Sequence, residues 1–286
     1  ATLDLSWAIV RPSLVVGRGG GSTALFSALV ALPLMPDVGG GMVQPIAIDD
    51  LVEAIWRLLQ RPLPMSVLLD AVGPEPMRIV DLMAILRHWL GLGKTSSVPV
   101  PRWMLRWVAN LGIGPMTRDS LTMLEAGNAA PVEPFVTALG FVPKPIAQAL
   151  DRSPATQGDG LAARLLPMGP VLRGLLAAVW LAGGLAPLLL TPMASNTHLL
   201  ARLGLTGEAA IGTVWAGSLA DMVVGLALIL HRRGAALAGV VLMGAYSLIL
   251  AVIAPELWAD PFGALVKNLA VLGLSLAVHA MEKPRV

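Results

Sequence analysis

Four apolar runs dominate the second half of the chain. They extend from about Val171 to Thr191, Ala209 to Leu230, Gly234 to Ala254 and Gly263 to Ala280. Each approaches the roughly 20 residues that a helix needs to cross the hydrocarbon core of a bilayer. Lipid offers the backbone no hydrogen-bond partners, so the pattern predicts four transmembrane helices. A soluble four-helix bundle would require a polar face on each helix, and these runs lack one. The second run carries one acid, Asp221, the third carries no charge, and the fourth carries Lys267.

The cations beside these runs alternate. Arg164 and Arg173 stand near the start of the first, His231-Arg232-Arg233 separate the second from the third, and Lys283 and Arg285 follow the fourth. The intervening loops hold Arg202 and the acidic segment Pro255-Glu256-Leu257-Trp258-Ala259-Asp260-Pro261. With four crossings, every cation-rich segment falls on one side, and the positive-inside rule makes that side cytoplasmic. Three crossings would break the pattern. Trp180, Trp215 and Trp258 are candidate interfacial anchors.

The first half reads differently. Short β-favouring runs at Trp7–Val10 (ended by Arg11-Pro12), Gln44–Ile48 and Ser66–Asp70 alternate with helical patterns at Thr23–Leu32, Leu51–Gln60 and Arg78–Leu90. Asp49-Asp50 are positioned to cap the second helix. In the third, Ile79, Leu82, Met83, Leu86 and Leu90 form the apolar stripe. Further helical pattern covers Pro101–Asn110 and Arg118–Ala126. Strands alternating with helices predict an α/β unit. The pattern therefore gives an α/β region followed by an all-α four-helix transmembrane bundle. Ser-Pro-Ala-Thr-Gln-Gly-Asp-Gly at 153–160 reads as a linker, which we take as 153–165 between units at 1–152 and 166–286.

Composition supports the division. The chain has 286 residues, 56% hydrophobic and only 13% charged, against about 25% charged in an ordinary soluble domain. Beyond Gly160 there are 8 Lys/Arg and 5 Asp/Glu, against 12 and 13 before it. Cys 0 excludes disulfides, thiolate metal sites and cysteine nucleophiles. A net charge of +2 is too small to point to nucleic acid. His88, His198, His231 and His279 make no ligand spacing, so no metal is expected. The first ten residues carry no signal-peptide pattern and read as a chain entering a strand directly.

Two glycine motifs invite a nucleotide reading. Gly17-x-Gly19-x-x-Ser22 precedes a helix and Asp37 follows, but the third glycine is replaced and no strand is expected to lead into Asp37; an ordinary flexible loop is the better reading. Gly91-Leu-Gly-Lys-Thr95 imitates the end of a P-loop, but it follows a helix, which makes Gly91 a helix C-cap. Asp221, Lys267 and Asn268 are candidates for an intramembrane polar site, because an ionisable side chain in a span is costly and faces the bundle interior or water. The sharp reading is a proton or quinone site. The structural alternative is that Asp221 pairs with Lys267-Asn268 across helices, or that Lys267 snorkels to the interface.

Two resemblances add to this. Val179-Trp-Leu-Ala-Gly183, Ser218-Leu-Ala-Asp221, Pro255-Glu-Leu-Trp-Ala-Asp-Pro-Phe-Gly263 and Leu265-Val-Lys-Asn268 are similar to the DoxX-like membrane domains, small four-helix modules, over about residues 168–283. Trp7-Ala-Ile-Val-Arg-Pro-Ser-Leu-Val-Val-Gly17, Gln44-Pro-Ile-Ala-Ile-Asp-Asp-Leu-Val52 and Gly73-Pro-Glu-Pro76 resemble, in order, the later part of an extended or atypical short-chain dehydrogenase/reductase (SDR) of the group that includes the accessory subunit of respiratory complex I. Phe135–Phe141 through Ala147–Leu150 looks like the end of that domain. The resemblance implies that the α/β region is a partial Rossmann-like fold, with NAD or NADP as cofactor and Pro12 and Ser13 beside the nicotinamide carboxamide. It also implies a phosphate loop and a Tyr-x-x-x-Lys pair nearer the N-terminus. The one tyrosine here is Tyr246, with Leu250 four residues on, so no catalytic residue is assigned. The expectation is a C-terminal portion of a membrane-anchored SDR-like oxidoreductase or epimerase, inactive and not cofactor-binding by itself, whose N-terminal half is a missing partner. The alternatives are a non-catalytic nucleotide-binding or assembly protein and a quinone-linked redox module. An SDR unit joined to a DoxX-like unit implies a multi-pass protein of the bacterial inner membrane. Its partners would be the lipid bilayer and a quinone or other lipid-soluble substrate.

Overall fold

The structure, a computed structural model, describes residues 7–60, 66–111, 118–261, 263 and 265–282. The opening residues 1–6, Phe262, and the cations Lys283 and Arg285 read above lie outside the described residues. The chain divides into two compact units, Ala1–Pro167 and Met168–Val286.

The first unit is α/β. Its elements in chain order are β1 (Ala8–Pro12), β2 (Val15–Val16), α1 (Gly21–Val30), β3 (Met35–Asp37), β4 (Ile46–Ala47), α2 (Ile48–Gln60), β5 (Val67–Ala71) and α3 (Ile79–Trp89). Then follow β6 (Ser97–Pro99), α4 (Arg102–Leu111), α5 (Arg118–Ala126), α6 (Glu133–Leu139), α7 (Ile146–Arg152) and α8 (Gln157–Leu165). β1 pairs with β5, β2 with β4, and β3 with β6, each in parallel. Parallel partners need long crossovers, and helices supply them here, as an α/β fold requires. Arg11 and Pro12 do not stop β1; they are its last two residues, in register with Asp70 and Ala71.

Two apolar clusters hold this unit. Phe26, Val30, Ile79, Leu82, Met83, Leu86, Ile146 and Leu150 bring the stripe of α3 against α1 and α7. Ile46, Ala54, Leu69, Ala71, Phe135 and Leu139 bury the other side of β4 and β5 beneath α2 and α6. Helix α3 ends as its Gly91 predicts. Gly91 has φ +66°, its N–H donates to His88 O at 2.9 Å, and Leu92 N–H donates to Arg87 O at 3.1 Å. That is a Schellman stop, and it removes the P-loop reading.

Three readings are corrected. Asp37 does end a strand, because β3 finds its partner in Ser97–Pro99, some sixty residues away. The dinucleotide reading is not restored: β3 does not pair with β2, and the Asp37 carboxylate accepts the Gly39 N–H at 2.9 Å. Asp50 does not cap α2. Its buried carboxylate accepts the Lys144 backbone N–H at 2.7 Å and pairs with Lys144 Nζ at 2.8 Å. Residues 157–165, read as linker, form α8. A capping box joins Thr156 and Asp159, the helix packs on α1, and Arg18 reaches Asp159 at 3.3 Å.

The second unit is helical: α9 (Met168–Leu189), α10 (Met193–Ala201), α11 (Gly207–Ile229), α12 (Ala235–Ile253) and α13 (Lys267–Ala280). Among the described residues, three helices, α9, α11 and α12, are long and apolar enough to cross a membrane, and at most 22% of each apolar window is buried. Most of their surface is therefore outward-facing hydrocarbon, which suits lipid. Small residues set the internal contacts: a Cβ on Gly184 would meet Ser218 O at 2.5 Å, and one on Gly225 would meet Leu181 Cγ at 2.7 Å. The fourth apolar run differs from expectation. Pro261 and Gly263 (φ +66°) delay the helix, and α13 has 14 residues, about 21 Å at 1.5 Å each. That is shorter than the ~30 Å core. Trp180 is also corrected. It is buried against Gly239 between helices, where an interfacial anchor would be exposed; Trp215 and Trp258 are exposed.

Candidate functional sites

The three sequence segments singled out in the first unit meet at one hydrogen-bonded hub. β1 delivers Pro12 and Ser13 to the carboxyl end of the β1–β5 pair, where β5 delivers Val72 and Gly73. Ser13 N–H donates to Ala71 O at 3.0 Å, and the Ser13 hydroxyl donates to Gln44 O. Gln44 is almost fully buried. Its Nε2 donates to Gly73 O at 2.7 Å, its Oε1 accepts Ala130 N–H at 3.0 Å, and its carbonyl also accepts Gly73 N–H at 3.1 Å. Every polar atom of the Gln44 side chain is thus used. Gly73 is required by space: a Cβ there would lie 2.1 Å from Pro45 O. Pro12 is exposed at the rim while Ser13 is buried.

The glycine loop between β2 and α1 forms a shallow depression of about 340 Å³ lined by Val15, Gly17, Arg18, Ser22 and Ile48. Gly19 has φ +82°, and the Thr23 hydroxyl accepts the Gly17 N–H at 2.9 Å. The loop is closed by the chain's own side chain.

The second unit brings together a polar layer that the sequence reading only half anticipated. Asp221 on α11 meets the Tyr246 phenol on α12, and the Tyr246 hydroxyl also lies 3.3 Å from Gly217 O. A Cβ on Gly183 of α9 would stand 3.1 Å from Asp221 Oδ2. Asp221 Oδ1 is buried with no hydrogen-bond partner. Asn268 on α13 donates to Ser247 Oγ at 2.7 Å. Asp221 and Asn268 therefore dock on neighbouring residues of α12. Lys267 is exposed, and among the described residues no ion pair joins it to Asp221. Tyr246 and Ser247 were not singled out by the sequence. The available signal was a lone tyrosine in an otherwise uncharged span.

A charged cluster closes one end of this unit. Glu282 lies 3.5 Å from both Arg173 and His279 and accepts the Gly234 N–H at 3.3 Å. The start of α9, the start of α12 and the end of α13 thus share an end. At the end of α12, Arg202 reaches Ile253 O at 3.2 Å and pairs with Glu256, whose carboxyl is held below the usual carboxylate range by that guanidinium. Among the described residues, no group of three or more His, Asp or Glu could hold a metal.

Residues 177–276 match the DoxX-like family model. No curated protein matches the chain. The solved structures to which the chain is similar over its N-terminal half include the following three. The human epimerase family protein SDR39U1, solved with NADPH, is 22% identical at a TM-score of 0.41, over 51% of this chain and 48% of that one. The UDP-glucose-4-epimerase of Stenotrophomonas maltophila, solved with bound NAD, is 17% identical at a TM-score of 0.39, over 57% and 49%. The protein gox2253 is 22% identical at a TM-score of 0.37, over 57% and 49%. The chain spans about half the length of these structures.

Proposed function

We propose that this chain is part of a membrane-associated, NAD(P)-dependent oxidoreductase or epimerase of SDR type, in which the DoxX-like unit is the anchor. The observation that carries the reading is the Ser13–Gln44–Gly73 hub at the carboxyl ends of parallel strands β1 and β5. Ligands of open α/β sheets bind in the crevice beyond those ends. The residue at the rim fits the nicotinamide end of such a cofactor: Pro12 is open there, at the end of β1. Gln44 and the buried Ser13 hydroxyl fix that rim instead of donating to a ligand. When bound, the cofactor would supply the hydride. This chain's own contribution is to shape the wall and exclude water, and we assign it no proton donor.

The test is binding of NADH and NADPH to the detergent-solubilised full-length gene product, followed by nicotinamide fluorescence. Binding is expected, and weakening by Pro12→Glu with an unchanged melting temperature locates it at the rim. No binding by the full-length product overturns the reading. One observation favours a non-catalytic alternative, since the Ser13 hydroxyl is committed to Gln44. Binding without hydride transfer would select it.

The polar layer of Asp221, Tyr246, Ser247 and Asn268 is the place for a quinone or other lipid-soluble substrate, with Lys267 at its margin. Its test is separate. Asp221→Asn and Asn268→Ala should change quinone-linked turnover while membrane insertion persists; unchanged turnover assigns the layer to helix packing.

A further inference from the structure

The outward face of α4 carries two exposed tryptophans beside two exposed arginines. Its sequence is Arg102-Trp-Met-Leu-Arg-Trp-Val-Ala-Asn-Leu111. Leu105 is buried in the apolar cluster and fixes the inward direction. At about 100° per residue, Trp103 and Trp107 stand roughly 160° and 200° from Leu105. They point away from the core, one turn apart, and are 70% and 60% exposed. Arg102 and Arg106, also one turn apart and exposed, form a row on one flank of this pair, and Met104 lies on the other.

Single exposed apolar residues are ordinary on a protein surface. Two exposed tryptophans one turn apart, beside two exposed arginines one turn apart, are not scattered residues. Indole is apolar in body and polar at its N–H, so it favours the headgroup boundary, and guanidinium pairs with phosphate in two parallel hydrogen bonds. Connectivity adds to this. α8 ends at Leu165 and the first membrane-capable helix begins at Met168. The unit carrying α4 is thus tethered by two residues to a bilayer-crossing element, which makes lipid a partner at high effective concentration.

We propose that α4 lies in the headgroup region of the bilayer, with Trp103 and Trp107 inserted and Arg102 and Arg106 on anionic lipid phosphates. This goes beyond the nucleotide reading and does not depend on it. A second copy of the chain would cover the tryptophans, but it would leave the arginine row facing like charge.

Because the chain has Cys 0, the test can use the full chain with one cysteine introduced. Trp107→Cys carries a nitroxide in vesicles of phosphatidylethanolamine with phosphatidylglycerol, and Glu133→Cys on α6 is the water-exposed control. A headgroup position predicts a several-fold fall in collision with a water-soluble nickel chelate, with oxygen collision retained. The protection should shrink in phosphatidylcholine alone and disappear with Arg102→Glu/Arg106→Glu. Nickel access equal to the control overturns the proposal. So does loss of both collisions, which means burial under protein, and so does protection that vanishes as protein is diluted in lipid, which means a second copy. Should Trp107→Cys fail to fold, quenching of the unsubstituted chain by brominated lipid answers the same question. It should exceed that of Trp103→Phe/Trp107→Phe, and equal quenching overturns the proposal.

Discussion

At the scale of single residues, Gln44 and Gly73 carry the largest consequences for the first unit. Gln44→Leu keeps roughly the volume but strands a buried carbonyl on Gly73 and a half-buried N–H on Ala130. The buried carbonyl alone costs ~1–3 kcal/mol and the half-buried N–H adds less, so a clear fall in melting temperature is expected. Gly73→Ala should reach the upper end of the ~1–3 kcal/mol usual for overpacking, because its obstacle is the Pro45 carbonyl and not a side chain that can turn. Thermal unfolding of the two variants, followed by circular dichroism, ranks them. Lys144→Ala leaves the Asp50 carboxylate buried without its countercharge. Its cost should stay below the ~3–5 kcal/mol of a fully buried pair, because Lys144 itself is 36% exposed. These partners could not be read from the sequence. Gln44, Gly73 and Ala130 belong to three separate segments, and only the closed fold shows that one side chain joins them. Asp50 was legible as a helix-start acid, yet its partner is ninety-four positions away.

At the scale of elements, local chemistry was readable and long-range pairing was not. The stripe of α3 and its glycine stop needed only neighbours in sequence. β3 needed β6 and was missed. α8 is the instructive case. Its Ser, Pro and Gly content suggested a linker, but Thr156 and Asp159 already had capping-box spacing. The capping bond and Arg18 hold the Asp159 carboxyl below its ordinary range, the Thr156 backbone N–H being the larger cause. A carboxyl depressed in the folded state stabilises above its unfolded pKa, and the contribution is lost as pH falls through the folded value. Docking of α8 on α1 should therefore be insensitive to pH from neutral down to about 4, and weaken below that. Thr156→Ala should remove ~1 kcal/mol at neutral pH and flatten the acid dependence. Amide exchange at Gly160 N–H, bonded to Thr156 O, reports both. In the membrane unit the spans were legible from composition, but their contacts were not. Trp180 reads as an anchor, yet Gly239 lies opposite it, and the partner the sequence offers Asp221, Lys267-Asn268 on the fourth run, gives way to Tyr246 on α12.

At the scale of the whole molecule, the open quantity is how many times the second unit crosses the bilayer. Among the described residues three helices meet the length requirement, and α13 by itself falls short. The ends of the unit nevertheless behave as an even number of passes demands. Glu282, just beyond α13, meets Arg173 near the start of α9 and the Gly234 N–H at the start of α12. Arg202 meets the end of α12. A tilted short helix, local thinning of the bilayer, or the non-helical stretch leading into α13 can each make up the missing length at modest cost. We therefore expect four passes, with Arg232 and Ala280 on one side and Ala259 on the other. In a chain without cysteine, Arg232→Cys, Ala280→Cys and Ala259→Cys can be probed one at a time with a membrane-impermeant maleimide on intact cells. Four passes predict that Ala259→Cys labels from outside and that the other two label only after lysis, because the cation-rich end is retained inside. Labelling of Ala280→Cys together with Ala259→Cys would leave α13 on the outer surface and reduce the unit to three crossings. The Glu282–Arg173 contact would then have to form across the membrane, so Arg173→Ala should leave stability unchanged in that case and lower it in the four-pass arrangement.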